Sequence, residues 1–395
     1  MEKLGLYRVV PIILFIYMVA LSGSRWNAVY SISCGMLWGI LLWGILKTKQ
    51  IKVQLPGKEF NLVYWPFFIC IIISSLLIGD IPSIKQAFDY LYWSLPFILL
   101  LLLYQYYPKE SLIFLSISVS LIIIGGFGLE QFIMTSSEIR ISGLFNHPNQ
   151  FATMVSLNLS FLLGYSWFKK THSVYVKSIM YIACIIGAAA LIFSGSRGAM
   201  LGFILGGIVT IGCYYGKNLL SKPSTALKWV GVLICVVTLC IGGMQFLGHN
   251  NQVQRSYDYE RIKLLESSYN MWKDHPILGV GLENWATAYQ EAYILPDAKE
   301  RSLNIPHNVP AYFFSATGTI TGLSYLVYAF GVYMYLYKKM KQQHTNVIVP
   351  ACMWALVALT IHGFVDAGIM MEDALRLYSG LLGITVASII HSNKE

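Results

Sequence analysis

Apolar runs of around 18 residues or more recur along almost all of this 395-residue chain. Each is long enough to cross a bilayer as a helix. Twelve spans are read: 9–22, 27–46, 61–79, 88–106, 111–134, 149–168, 176–194, 199–216, 229–247, 309–337, 346–365 and 374–391. Charged residues make up 12% of the chain, against about 25% in soluble domains. The expected fold is therefore an all-α integral membrane protein. The first span is short, with Pro11 at its entry, and no small-residue cleavage site follows it. It reads as a retained helix rather than a removed signal peptide. The lysines and arginines of short loops set the orientation. With both termini in the cytoplasm, the inner segments hold Lys47, Lys49, Lys52, Lys58, Lys169, Lys170, Lys338, Lys339 and Lys341 among others. The short outer segments hold only Arg25, Lys85, Arg140, Arg197 and Arg376.

The expected organisation is a single integral membrane domain. Residues 1–247 carry spans one to nine, 248–308 form a large outer loop, and 309–395 carry spans ten to twelve. The net charge of +9 is a topology signal, and with no soluble basic domain it does not point to nucleic acid. Cys34, Cys70, Cys184, Cys213, Cys235, Cys240 and Cys352 all fall in expected spans, without CxxC spacing. They read as small packing residues. Many secondary transporters show related halves with matched broken helices. No internal repeat is visible, and nothing mirrors the 248–308 segment, so a transporter is the lesser alternative.

This topology gathers four unusual places on the outer face. The first is Arg140 with Phe145-Asn146-His147-Pro148-Asn149. The second is Arg197 in a tight turn, with glycines that let a ligand approach the backbone. The third is the long loop, with Arg255 and Arg261. The fourth is Asp366, Glu372 and Asp373. Within the loop, Asp258 to Trp272 reads as an amphipathic helix capped by Asp258, with Ile262, Leu265, Tyr269 and Trp272 on one face. Pro276 and Gly279-Val280-Gly281 enforce a turn. A second short helix is expected from Glu283 to Tyr293. Both helices are expected along the membrane surface, with aromatics at headgroup depth. Arg261 alone could be a solvated charge, Arg255 is the blander of the two, and Arg197 could snorkel to headgroups. His307, between Pro306 and Asn308, stands at the mouth of span ten; His147 competes with it as the chemical histidine. Glu130, near the outer end of span five, is a functional acid or a partner of Arg140. No His, Cys, Asp or Glu cluster has metal-ligand spacing.

Three passages together resemble the O-antigen ligase and polymerase superfamily of bacterial envelope glycosyltransferases. They are Ser194-Gly195-Ser196-Arg197-Gly198-Ala199, then Arg261 through Trp272 to Trp285, then Pro306-His307-Asn308 followed by Gly318-Thr319-Ile320-Thr321-Gly322. The resemblance covers roughly residues 140–370. It implies a membrane glycosyltransferase of the GT-C type that needs no cofactor, nucleotide sugar or metal. It further implies a glycan donor linked to undecaprenyl diphosphate, an active site on the periplasmic face of the inner membrane, and phospholipid surroundings. By that resemblance Arg197 and Arg261 would bind the diphosphate and His307 would activate the acceptor hydroxyl. Asp366 sits where that family often has an acidic residue and would support them; Asn308, Arg140, Glu130 and Arg255 are supporting candidates from their own positions on the outer face.

Arginine forks match phosphate oxygens, and a neutral histidine can accept a hydroxyl proton at neutral pH. Direct attack by that hydroxyl would invert the anomeric carbon. The pattern near span ten favours a ligase, which transfers the glycan to lipid A–core in lipopolysaccharide biosynthesis. The alternative is a polymerase that extends a lipid-linked repeat unit. A lipid-linked glycan transporter is the lesser alternative.

Overall fold

The computed structural model describes residues 9–48, 54–135, 140–169, 173–221, 251–299 and 301–393. The expected ninth span, 229–247, lies outside them, together with Cys235, Cys240 and both ends of the chain. All regular structure among the described residues is helical. Nine helical stretches among the described residues are long and apolar enough to cross a membrane, with Ile81–Tyr106 counted as one, and Val10–Ala20 and Ile348–Gly363 are shorter apolar helices. The chain is a multi-pass membrane protein.

The helices follow the hydropathy pattern closely. They are α1 (Val10–Ala20), α2 (Asn27–Thr48), α3 (Lys58–Ile78), α4 (Ile81–Ser94), α5 (Pro96–Tyr106), α6 (Glu110–Met134), α7 (Pro148–Phe168), α8 (Val174–Phe193) and α9 (Arg197–Ser221). After these come α10 (Asn251–Asp274), α11 (Trp285–Ala288), α12 (Val309–Gln342), α13 (Ile348–Gly363) and α14 (Glu372–Ser392). The expected span 88–106 starts earlier, at Ile81, because the Asp80 carboxylate accepts the Ser83 N–H at 3.0 Å and caps the helix. It is then divided before Pro96, which has no N–H to continue the ladder.

The central helices are α7 and α14, whose side chains are buried nearly all round. Helix α14 packs on α5 and α4, α13 on α9 and α7, α6 on α8, and α12 on α3. The outer helices expose Ile32, Leu46, Leu62, Ile69 and Ile185, the surface a bilayer requires. Between α9 and α13 the backbones nearly touch: a Cβ on Gly202 would lie 2.4 Å from the carbonyl oxygen of Ala358. Only glycine permits that approach, and it brings the start of α9 against the end of α13.

Helix α12 is broken at Gly318 (φ 79°, ψ −179°). The chain just after α10 docks into this break. Val280 N–H donates to Ser315 O at 3.0 Å, Gly281 N–H to Ala316 O at 2.9 Å, and Thr319 N–H to Pro276 O at 2.8 Å. The Thr319 hydroxyl also donates to Pro276 O at 2.7 Å and accepts the Trp272 indole N–H at 2.9 Å. The backbone groups freed by the break are thus satisfied from the connecting segment.

Two expectations for that segment are corrected. Helix α10 starts at Asn251, so Asp258 lies inside it and is not its cap. Ile262, Leu265 and Tyr269 of its apolar stripe are exposed, while Leu264, Ser267, Ser268 and Met271 on the other side are buried. The second helix is a short α-turn followed by a π-turn over Tyr289–Tyr293. Its Trp285 and Tyr289 are fully buried rather than at headgroup depth, and the Trp285 indole N–H donates to the Ser315 hydroxyl at 3.0 Å. The following stretch folds back on α10, where Lys263 pairs with Asp297 at 2.9 Å and Lys299 N–H donates to the Glu260 carboxylate at 2.9 Å.

Candidate active site

Asp366 lies in the short connection between α13 and α14 and is 4% exposed. A buried carboxylate demands partners, and it draws them from four parts of the sequence. Its own connection supplies the Ala367 N–H, 2.7 Å from Oδ1. Helix α7 supplies the amide of Asn149, hydrogen-bonded to Oδ2. Helix α10 supplies Arg261, with Nη2 3.9 Å from Oδ2. The entry to α12 supplies His307, with Nδ1 3.8 Å from Oδ1. Burial alone would raise the Asp366 pKa, but His307, His362 and the Ala367 N–H outweigh it and hold the carboxyl well below the usual range. Asp366 is therefore an anion at any physiological pH.

A second layer extends from Asn149. Its Oδ1 accepts from Arg140 Nη2, and Arg140 Nε donates to the carbonyl of Ser194 at 2.9 Å, in the turn before Arg197. His147 caps α7 by accepting the Asn149 N–H on Nδ1 at 3.2 Å. The His147 ring keeps one side in solvent, but partial burial lowers its pKa. Arg140, His307 and Arg261 lower it further, against an opposite pull from Asp366.

His362, one helical turn before Asp366, is buried, with Nδ1 3.0 Å from the Thr153 hydroxyl and Nε2 3.5 Å from that of Ser196. Thr153 already donates to Asn149 O at 2.8 Å. Its oxygen therefore accepts from Nδ1–H of His362, and Nε2 is left to accept from Ser196.

Each residue singled out in the sequence has a definite place. Arg261 and His307 meet at Asp366. Arg197 is the exposed first residue of α9; its neighbours Ser196 and Gly198 lie against His362. His307 is the one non-glycine residue with positive φ, 51°, among those described. This backbone turns its ring back so that the buried Nδ1 points at Asp366. Asn308 caps α12, its Oδ1 accepting the Ala311 N–H at 2.8 Å, while its Nδ2 donates to Phe364 O at 2.7 Å. It thereby ties the His307 segment to the Asp366 segment. The bonds that fix Arg140 lead to Asn149 and Ser194, and Glu130 is exposed near the end of α6. Arg255 lies on α10, with its side chain outside the described residues.

Sequence reasoning missed Asn149, Thr153, Ser196 and His362 as parts of this network. For His362 a signal existed: it stands four residues before Asp366, the spacing that puts two side chains on one helix face.

Residues 182–326 match the family described as O-antigen ligase. No curated protein matches the chain. The matched stretch runs from within α8 to within α12 and holds Arg197, Arg261, His307 and the break at Gly318. Arg140, Asn149, His362 and Asp366 lie outside it in sequence and against it in space. Over residues 182–326, a little more than a third of its length, the chain is thus similar to the O-antigen ligase family.

Proposed function

We propose that this protein is an O-antigen ligase, an inverting membrane glycosyltransferase that moves a glycan from undecaprenyl diphosphate to lipid A–core. The reading rests above all on Asp366, a buried anion with Arg261 and His307 on its two oxygens. Arg140 and Arg197 stand at the same end of the bundle as Arg261, which supplies arginines where a diphosphate would bind. Arg197 and Arg261 act as forks on its oxygens and take up the negative charge that develops as it leaves.

The acceptor hydroxyl oxygen attacks the anomeric carbon, and the bond from that carbon to the diphosphate oxygen breaks. The hydroxyl proton passes to His307, and undecaprenyl diphosphate departs. With Nδ1 turned to Asp366, Nε2 is the nitrogen that faces the acceptor, and the carboxylate stabilises the imidazolium as it forms. Lysines predominate at the opposite end of the bundle, where Lys338 pairs with Glu59 and Lys169 with Glu110. That distribution supports an inner-membrane orientation with the site on the periplasmic face.

Deleting the gene and resolving the cell's lipopolysaccharide on a gel tests the reading. Lipid A–core without O-antigen, beside lipid-linked polymer in the inner membrane, is the expected result. Core carrying a single repeat unit would make the protein a polymerase, and an unchanged ladder would overturn both.

A further inference from the structure

A cavity of about 430 Å³ adjoins the site. Its walls include Ala367, the residue after Asp366, and Asn304 and Ile305, just before His307. The same two chain segments therefore line the cavity and carry the reactive cluster. Its chemistry differs from that of the cluster. Gln86, Glu283 and Asn304 contribute amide and carboxylate groups, Tyr90 and Tyr312 contribute rings, and among the described residues no lysine or arginine lines it.

The cavity is held in place. Ser83 of α4 receives the Glu283 N–H at 3.3 Å, and the Tyr312 hydroxyl donates to Leu282 O at 2.9 Å. With its hydroxyl so engaged, Tyr312 contributes its ring to the wall.

A diphosphate would be repelled here, because Glu283 is the charged group of the lining. An uncharged sugar fits better. A pyranose has hydroxyls that need acceptors and donors, and an apolar C–H face that needs an aromatic or aliphatic wall. We propose that this cavity binds the uncharged terminal pyranose of the acceptor, with Glu283 and Asn304 hydrogen-bonded to its hydroxyls. The site then divides by charge. The lipid diphosphate lies on the arginine side, the acceptor sugar on the Glu283 side, and His307 between them. The assignment of this sugar as acceptor rests on the glycan-transfer reading; its binding does not.

Binding is tested first, on purified full-length protein, by saturation-transfer NMR with the methyl glycosides of glucose, galactose and N-acetylglucosamine. At least one should bind the wild type and His307→Ala. That binding should fall about tenfold or more in Glu283→Ala, the loss of one good hydrogen bond, and vanish in Ala286→Trp, which fills the cavity from its wall. Equal binding by wild type and Ala286→Trp, at unchanged melting temperature, would overturn the proposal, as would no binding by the wild type. Steady-state transfer then tests the role. Glu283→Ala should raise the acceptor KM about tenfold with the donor KM unmoved, and Glu283→Gln should recover part of it. A rise in the donor KM instead would overturn the assignment. If the glycosides bind as expected in a protein without transferase activity, the transfer reading fails while the sugar site stands.

Discussion

His307 carries two demands at one position. Its backbone is left-handed at φ 51°, a conformation that costs an ordinary L-residue about 1–2 kcal/mol and that asparagine tolerates better. Its ring must meet Asp366. The two demands separate by substitution. His307→Asn should melt with the wild type yet lose transfer by about 10²-fold or more, and His307→Ala should lose both transfer and some stability. Near-normal turnover in His307→Asn would remove the general-base role. A pH prediction follows from the neighbouring histidine. The folded His147 pKa lies below 6.5, so between the two values the unfolded chain binds more protons. Stability should therefore fall as pH drops through that window. Asp366, held below its ordinary 3.8, stabilises the fold above that value and loses this only in stronger acid. Melting temperatures at about pH 7 and about pH 5 should differ less in His147→Gln than in the wild type; an equal difference would sink this assignment.

The broken helix α12 is the element on which the site depends. A Cβ at Gly318 would lie 2.0 Å from the carbonyl oxygen of Ile277, and its φ/ψ pair belongs to glycine alone. Gly318→Ala should therefore expel the Pro276–Gly281 segment from the break, lower stability by about 3 kcal/mol and abolish transfer. Cleavage by added protease around residue 280 would report it, and wild-type resistance would count against the docking. Most helices were legible because length and hydropathy alone define a span. The side by which α10 packs on the protein was not, for a physical reason. Helical periodicity marks an apolar stripe but not what covers it. In water the stripe turns inward, whereas here Leu264 and Met271, with small Ser267 and Ser268, face the protein and Ile262 and Tyr269 face out. The meeting of Arg261 and His307 at one carboxylate was anticipated only as a shared surface. The bond between Asn149 and Asp366 joins residues 217 apart, and no local pattern encodes it.

At the scale of the whole molecule, charge is sorted to two ends. Arg140, Arg261, His147 and His307 gather with Asp366 at one; Lys169, Lys338 and Lys341 occupy the other, held by Glu110, Glu59 and the Cys213 carbonyl. Lysines in short loops are retained on the cytoplasmic side during insertion, which orients the bundle without reference to its chemistry. The proposed ligase reaction makes an independent demand: a lipid-linked glycan in the outer leaflet would meet its acceptor there, so on that reading the arginine end would face the periplasm. The two arguments agree, and one experiment can break the agreement. In a variant with the native cysteines replaced by alanine, Glu266→Cys on α10 should react with a membrane-impermeant maleimide in intact spheroplasts. Lys338→Cys at the far end of α12 should react only after lysis. The reverse pattern would put the Asp366 cluster in the cytoplasm, beyond reach of a donor in the outer leaflet. The ligase reading would then fall even with every distance in the cluster unchanged.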